Sequence, residues 1–168
     1  MIEPCAPKDL PTILAIVNDA AVAYKKAIPP DCWHEPYMTE DYLGKEIARG
    51  VVFYGFMENG EMVGVMGIQN PKDVTLIRHA YVRTRDRRKG VGGALITHLV
   101  GLTNRPVLVG TWRAATWAVS FYEKHGFKLV DAETKDGLLR KYWVVTERQI
   151  ETSVVLGDGT WREINLHA

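Results

Sequence analysis

The segment Arg83-Thr84-Arg85-Asp86-Arg87-Arg88-Lys89-Gly90-Val91-Gly92-Gly93-Ala94-Leu95 concentrates residue types that bind phosphate. The residues before it read as a strand and those after it as a helix. A helix start presents backbone N–H groups that lack intrahelical acceptors, at the positive end of the helix dipole. Glycines at 90, 92 and 93 put no Cβ between ligand and backbone. The cations add charge attraction, and the chemistry expected is capture of a pyrophosphate. The same glycines also read as a tight turn with close helix packing, and the basic run as a solvated loop. The segment is not a P-loop, because G-x-x-x-x-G-K-S/T is absent. Gly90-Val91-Gly92 is followed by Gly93-Ala94-Leu95, so the third glycine of G-x-G-x-x-G is missing.

Two further residues can do chemistry. Ala115, Ala118 and Tyr122 share one face of an expected helix at i, i+3 and i+7, so two small residues lead to one phenol. His79 titrates near neutral pH, on a strand that carries no acid. Alternation puts it on the face opposite Val82, with Ile77 and Tyr81. His79 reads equally as a packing residue, and Tyr122 as a half-buried aromatic. Other chemistries lack support. The only serines are Ser120 and Ser153, with no G-x-S-x-G. Cys5 and Cys32 are too few for a disulfide scaffold or a four-thiolate zinc site. The histidines at 34, 79, 98, 125 and 167 show no H-E-x-x-H spacing, so no metal is expected.

The elements around these residues follow from periodicity. A helix capped by Asp9 carries Leu10, Ile13, Val17, Ala20, Ala21 and Tyr24 on one face. A second runs from Thr39 to near Gly50. Strands at 51–57 and 62–69 flank Asn59-Gly60, the strongest short hairpin signal, and a third spans 74–82. A helix at 90–103, a strand at 107–111, a helix at 114–125 closed by Gly126 and a strand at 127–131 follow. Residues 134–148 are ambiguous, and strands are expected at 150–156 and 160–164. The order predicts a mixed sheet with helices on both faces, the 90–103 helix making the parallel crossover.

The chain has 168 residues with a formal net charge of +1. That is the size of one domain, and no overall attraction to nucleic acid or acidic membranes follows. Residues 78–89 carry six Arg or Lys and one acid, a possible phosphate track, but no nucleic-acid motif accompanies them. No signal peptide or spanning segment is visible, so the expected compartment is the cytoplasm.

Arg87-Arg88-Lys89-Gly90-Val91-Gly92 fits R/Q-x-x-G-x-G/A, and Ala118-Val119-Ser120-Phe121-Tyr122-Glu123-Lys124-His125-Gly126-Phe127 looks like A-x-x-F/L-Y-x-x-x-G-F. In that order and spacing, the pair resembles the GNAT superfamily of acyl-CoA-dependent N-acyltransferases. The resemblance implies a single domain over 1–168 with an α/β fold. Its central sheet would be mixed and mostly antiparallel, with a splayed parallel β-α-β centre and helices on both faces. Backbone N–H groups of Arg87, Arg88, Lys89, Gly90, Val91 and Gly92, extending through Gly93 to Ala94, would cradle the pyrophosphate of acetyl-CoA. Groups near Tyr81, Val82 and Arg83 would hold the acyl-pantetheine, with the Val82 N–H polarising the thioester carbonyl. Ala118 would leave room for the pantetheine arm, and Tyr122 would protonate the departing thiolate. The chain departs from the pattern where Ala115 replaces a frequent Asn, and where the strand ending at Val82 lacks an acid, leaving His79 as the available base.

The expected activity is direct acetyl transfer to a primary amine, of a small molecule or a protein, by a monomer or homodimer. The alternative is a CoA-binding module of the same fold without transferase activity. The acceptor would lie among Trp33, His34, Glu35, Tyr37, Trp143, Arg148 and Glu151.

Overall fold

Asn59 and Gly60 both take positive φ, 51° and 78°, so the hairpin closes through the turn that this dipeptide favours. It joins β2 (Val52–Glu58) to β3 (Glu61–Gln69), and β4 (Thr75–Val82) extends the antiparallel meander. The chain then crosses over through α3 (Val91–Val100) into β5 (Val107–Trp112), which pairs with β4 in parallel. Three further strands, β1 (Ile2–Pro4), β6 (Lys128–Leu129) and β7 (Ser153–Gly157), complete a seven-stranded sheet. Its order is β1-β2-β3-β4-β5-β7-β6, and every pair but β4–β5 is antiparallel. This computed structural model describes residues 1–166; His167, counted among the histidines above, lies outside them.

The β4–β5 ladder is short. Thr75, Leu76 and Ile77 pair with Val107, Leu108 and Val109, and no pairing continues beyond them. From Arg78 and Gly110 onward the two strands part. This is the splay expected from the family pattern.

Helices cover both faces, and alternation along each strand assigns them. On one face, α3 and α4 (Thr116–Lys124) pack on Met66, Ile77, Val109 and Leu156 through Leu95, Leu99, Ala118 and Tyr122. On the other face, α1 (Leu10–Ala21) and α2 (Glu40–Ala48) cover β2 to β4 through Ile13, Ile16, Val17 and Leu43 on Phe53 and Val65. That same face beyond β4 carries α5 (Ala132–Tyr142) and α6 (Glu147–Thr152), whose Leu139 and Ile150 bury Leu76, Leu108 and Val155. The last two sets of helices leave a cleft over the splay. Among the described residues, no helix is long and apolar enough to cross a membrane.

Several boundaries differ from expectation. Strand β1 has no counterpart in the sequence reading, because three residues hold too little alternation to register. Residues 160–164 form no strand; they lie in α7 (Gly159–Asn165). Asp158 causes this: its carboxylate accepts from the Trp161 N–H at 2.9 Å and so caps a helix where a turn was expected. The strand expected at 150–156 begins only at Ser153. Thr146 and Gln149 form a capping box that holds residues 147–152 as α6. The ambiguous 134–148 stretch is mostly α5. Only Lys128 and Leu129 of 127–131 pair, while Phe127 is buried against α4. Asp9 does not cap α1 with its side chain; its carboxylate reaches back to the Ala6 N–H at 2.7 Å. Tyr24 lies past α1, in a 3-10 turn at Val22–Tyr24.

Asp158 also accepts from the Val107 N–H at 3.1 Å, tying α7 to the start of β5. Asp158→Ala therefore leaves two backbone donors without their acceptor. We expect a loss of about 1–3 kcal/mol in urea denaturation. A change below about 0.5 kcal/mol would show that this cap does not hold α7.

Candidate active site

The loop between β4 and α3 has an unusual backbone. Arg88 takes φ 62° and Gly90 φ 81°. No acceptor in the described chain pairs with the consecutive N–H groups from Arg88 through Gly93; the first helical bond is Ala94 N–H to Gly90 C=O at 3.0 Å. A run of free N–H groups at the positive end of a helix is suited to a multiply charged anion.

The side chains of the basic run are mostly committed to the protein itself. Arg83 donates to the Met62 carbonyl at 3.0 Å and Arg87 to the Ala20 carbonyl at 3.0 Å. Arg85 pairs with Glu61. Arg85 and Lys89 grip Asp86, at 3.3 and 3.0 Å. The Lys89 bond first, and Arg85 with it, hold the Asp86 carboxyl below the usual range. Arg88 alone of this loop's cations makes no hydrogen bond or ion pair among the described residues. The track of free cations suggested by residues 78–89 is thus reduced by internal pairing.

The glycines divide by role. Gly90 needs its positive φ, and a Cβ there would meet nothing within 4 Å. A Cβ on Gly92 would lie 3.3 Å from the Phe121 ring, and one on Gly93 3.1 Å from His125 Nε2. Those two glycines serve the close packing of α3 on α4. All three glycines border the cavity that runs from this loop, and Gly92 and Gly93 also allow the close approach of α4.

A cavity of about 730 Å³ runs from this loop to the splay. Arg87, Arg88, Gly90 to Gly93, Tyr81, Val82, Ala118, Tyr122, Tyr24 and Trp117 contribute to its wall. Arg83, Lys89 and Ala94 stand outside it. Val82 and Gly64 are partners across β3 and β4, and the Arg83 N–H donates to the Val63 carbonyl at 2.9 Å. The Val82 N–H therefore points away from β3, into the gap that β5 leaves. Tyr122 is 7% exposed, and its hydroxyl is not sealed from solvent without a partner. Burial raises its pKa far above the ordinary phenol value, so it stays protonated as a proton donor.

A smaller cavity of about 160 Å³ lies across the splay. Tyr24, Ala80, Tyr81 and Tyr122 border both cavities. His79 borders the smaller one, and its position departs from simple alternation. Gly67 pairs with Arg78 and Val65 with Tyr81, so Met66 alone faces His79 and Ala80 across a β-bulge. His79 sits there at φ 54°, a conformation that costs a non-glycine residue about 1–3 kcal/mol. The bulge reverses the parity of the strand. Tyr81 shares the α1–α2 face with Arg78, while Ile77 and Val82 face α3. The expected grouping of His79 with Ile77 on one face is thereby corrected.

The His79 imidazole lies against Phe53, with ring centres 5.9 Å apart, and its Nε2 is 3.1 Å from Glu46 Oε2. Glu46 is 2% exposed and also receives Arg78 at 2.9 Å and Arg49 at 3.3 Å. Burial works to raise the Glu46 carboxyl, but the His79 bond and the two guanidinium groups outweigh it and lower its pKa. Burial, ahead of the opposing Glu46 bond, depresses His79 below 6.5. At neutral pH a neutral imidazole thus faces an ionised carboxylate. The proton between them belongs on Nε2, which leaves Nδ1 as the basic nitrogen.

Glu46 was missed by sequence reading because no strand neighbour announces it. The available signal was an acid three residues after Leu43, on the buried stripe of α2. Of the acceptor region's expected residues, Tyr37 and Trp143 border the smaller cavity. Trp33 stacks on Tyr37 at 5.5 Å, and Arg148 binds Asp31 at 3.0 Å. Trp33, His34, Glu35, Arg148 and Glu151 are not part of its wall. Among the described residues no group of His, Cys, Asp and Glu is arranged to hold a metal ion.

Comparison with known proteins bears on this arrangement. No curated protein sequence matches the chain. The fold is similar to that of PaiA N-acetyltransferase from Thermoplasma acidophilum in complex with coenzyme A. The TM-score is 0.71 and the identity 16%, over 94% of this chain and 97% of that one. It is also similar to ribosomal-protein-alanine N-acetyltransferase from Brucella melitensis, with TM-score 0.66 and 18% identity over 94% and 98%. For the ribosomal-protein-S18-alanine N-acetyltransferase of Escherichia coli the values are 0.64 and 16%, over 94% and 92%. A family model described as the acetyltransferase (GNAT) domain matches residues 17–141. The chain belongs to the GNAT acetyltransferase family.

Proposed function

We propose that this protein is a single-domain N-acetyltransferase, moving an acetyl group from acetyl-CoA directly to a primary amine. The observation that carries the reading is the continuity of one cavity, from the free N–H run at Arg88–Gly93 to the Val82 N–H and Tyr122 at the splay. The N–H run suits the pyrophosphate, with Arg88 adding charge. The slot between the parted strands suits a slender pantetheine arm passing Ala118. The similarity of the fold to PaiA N-acetyltransferase in complex with coenzyme A supports the same cosubstrate.

Each residue then has a task. The Val82 N–H donates to the thioester carbonyl oxygen as negative charge develops there. A neutral amine attacks, because an ammonium has no lone pair. His79 accepts the proton that the amine sheds, through Nδ1, while Glu46 holds Nε2–H and the ring. Tyr122 donates its proton to the leaving sulfur. Holding both reactants at the splay supplies much of the acceleration.

Acetyl-CoA should raise the melting temperature, since a ligand that binds only the native state stabilises it by mass action. Arg88→Glu, at an exposed position in the loop, should weaken acetyl-CoA binding about tenfold, near 1.4 kcal/mol. Calorimetry checks both, and absence of binding to the unmutated protein removes the transferase reading. Gly92→Val is a poor probe of the cradle, because its side chain would strike Phe121 instead.

Tyr122→Phe should lower kcat about 10–10³-fold while acetyl-CoA affinity stays within a few-fold. Steady-state kinetics with calorimetry separate the two. Equal losses in both would make Tyr122 a binding contact, and unchanged kcat with chemistry rate-limiting would end the acid role.

His79→Ala should reduce kcat/KM about 10²–10⁴-fold. The enzyme's own limb in the pH profile should lie below 6.5, where His79 gains its proton. Glu46→Gln removes the partner that favours the imidazolium, so this limb should move to lower pH. The same depression has a stability sign. Unfolded His79 binds a proton more readily than folded His79, so its share of stability is present above pH 6.5 and lost as pH falls. A limb that stays in place in Glu46→Gln would assign the pair to packing alone.

A further inference from the structure

The smaller cavity has a distinctive wall. Six tyrosine and tryptophan rings line it: Tyr24, Tyr37, Tyr81, Trp112, Tyr122 and Trp143. No Asp or Glu belongs to that wall. Its only guanidinium, Arg78, is taken by Glu46 Oε2 at 2.9 Å and Gln69 Oε1 at 3.1 Å. A carboxylate on an entering amine therefore meets no free cation, and a second ammonium meets no carboxylate. Either would exchange water for neutral groups such as Thr111, Gln149 and Ser153, with no opposite charge to offset its own.

Size narrows the choice further. A cavity of about 150 Å³ accommodates benzene, and this one has about 160 Å³. Gly110 sets one limit: a Cβ there would lie 3.4 Å from the Trp143 ring, so the indole lies close over the β5 backbone. The two cavities meet at Tyr24, Ala80, Tyr81 and Tyr122, which line both, beside Val82.

Resting on the transferase reading above, we propose that the acceptor is a primary amine carried on one aromatic ring by a short alkyl arm. The ring occupies the cavity against Trp143, and the amine reaches the splay. The amine nitrogen forms the bond to the acetyl carbon as the carbon–sulfur bond breaks. The amine proton passes to His79, and the sulfur takes the Tyr122 proton, which solvent restores. Carboxylated and polycationic amines are disfavoured because the cavity wall offers their extra charge no free opposite charge.

The test compares kcat/KM at saturating acetyl-CoA for 2-phenylethylamine, 2-(1-naphthyl)ethylamine, L-phenylalanine and spermidine. 2-Phenylethylamine should exceed L-phenylalanine and spermidine by about tenfold or more. Trp143→Ala opens the wall and should shift preference toward the naphthyl amine by about tenfold. Trp143→Phe, which keeps a ring there, should retain the phenyl preference and guards against a folding defect in the smaller variant. Acetyl-CoA affinity should be the same in all three proteins. Preference for spermidine or L-phenylalanine overturns the proposal, as does a naphthyl-to-phenyl ratio unmoved by Trp143→Ala. Acetyl-CoA binding without acetylation of 2-phenylethylamine overturns the acceptor class while leaving the family's cosubstrate in place. Failure to bind acetyl-CoA removes the transferase reading itself.

Discussion

The functional architecture depends on a parallel ladder that stops early. β4 and β5 are held together only from Thr75 to Ile77 on one strand and from Val107 to Val109 on the other. Had pairing continued, the backbone beside Val82 would be engaged by a neighbour and the sheet would be closed. Because it stops, a strand interior carries open backbone donors in the middle of a folded protein. Such groups are costly to bury unpaired, so the gap is suited to a ligand that brings acceptors.

Everything around the gap holds it open or fills its edges. The α3–α4 contact, close enough that a Cβ on Gly92 or Gly93 would crowd Phe121 or His125, sets the wall on one face. On the other face, α1–α2 and α5–α6 bury separate clusters on either side of the splay. The two halves of that face are bridged at the surface by the Arg148–Asp31 pair. Such an exposed pair contributes little to stability, so the separation of the halves is set by their cores.

Glu46, Arg78 and His79 form a second, independent constraint. A carboxylate this buried is tolerated because several donors surround it. It ties α2 to the bulge of β4 and holds a histidine in a left-handed backbone conformation. The strain at His79 and the burial of Glu46 support each other: the ion-paired carboxylate fixes the ring that the bulge has turned toward it. The bulge also shifts strand parity, so Tyr81 turns toward the α1–α2 face while Val82 turns toward α3. The facing of both residues therefore depends on one extra residue in a strand.

Local signals in the amino-acid sequence determined a good deal by themselves. Asn59-Gly60 set a hairpin, because few other dipeptides adopt its dihedrals without strain. Thr39 capped α2, Gly126 closed α4, and the two motifs at 87–92 and 118–127 named the family, since each is a contiguous string whose meaning is local. The glycine-rich helix start at Gly90 was legible for the same reason. Longer-range features were not. The β-bulge at His79 depends on how β3 registers against β4, which alternation within β4 alone cannot reveal. Asp158 reads as a turn residue until Val107 and Trp161 supply the donors that make it a cap. Glu46 becomes the partner of His79 only when α2 lies across β4, thirty-three positions away in the chain. Sequence determined each element whose energy comes from neighbours along the chain; tertiary structure decided each feature whose partner arrives from elsewhere in the fold.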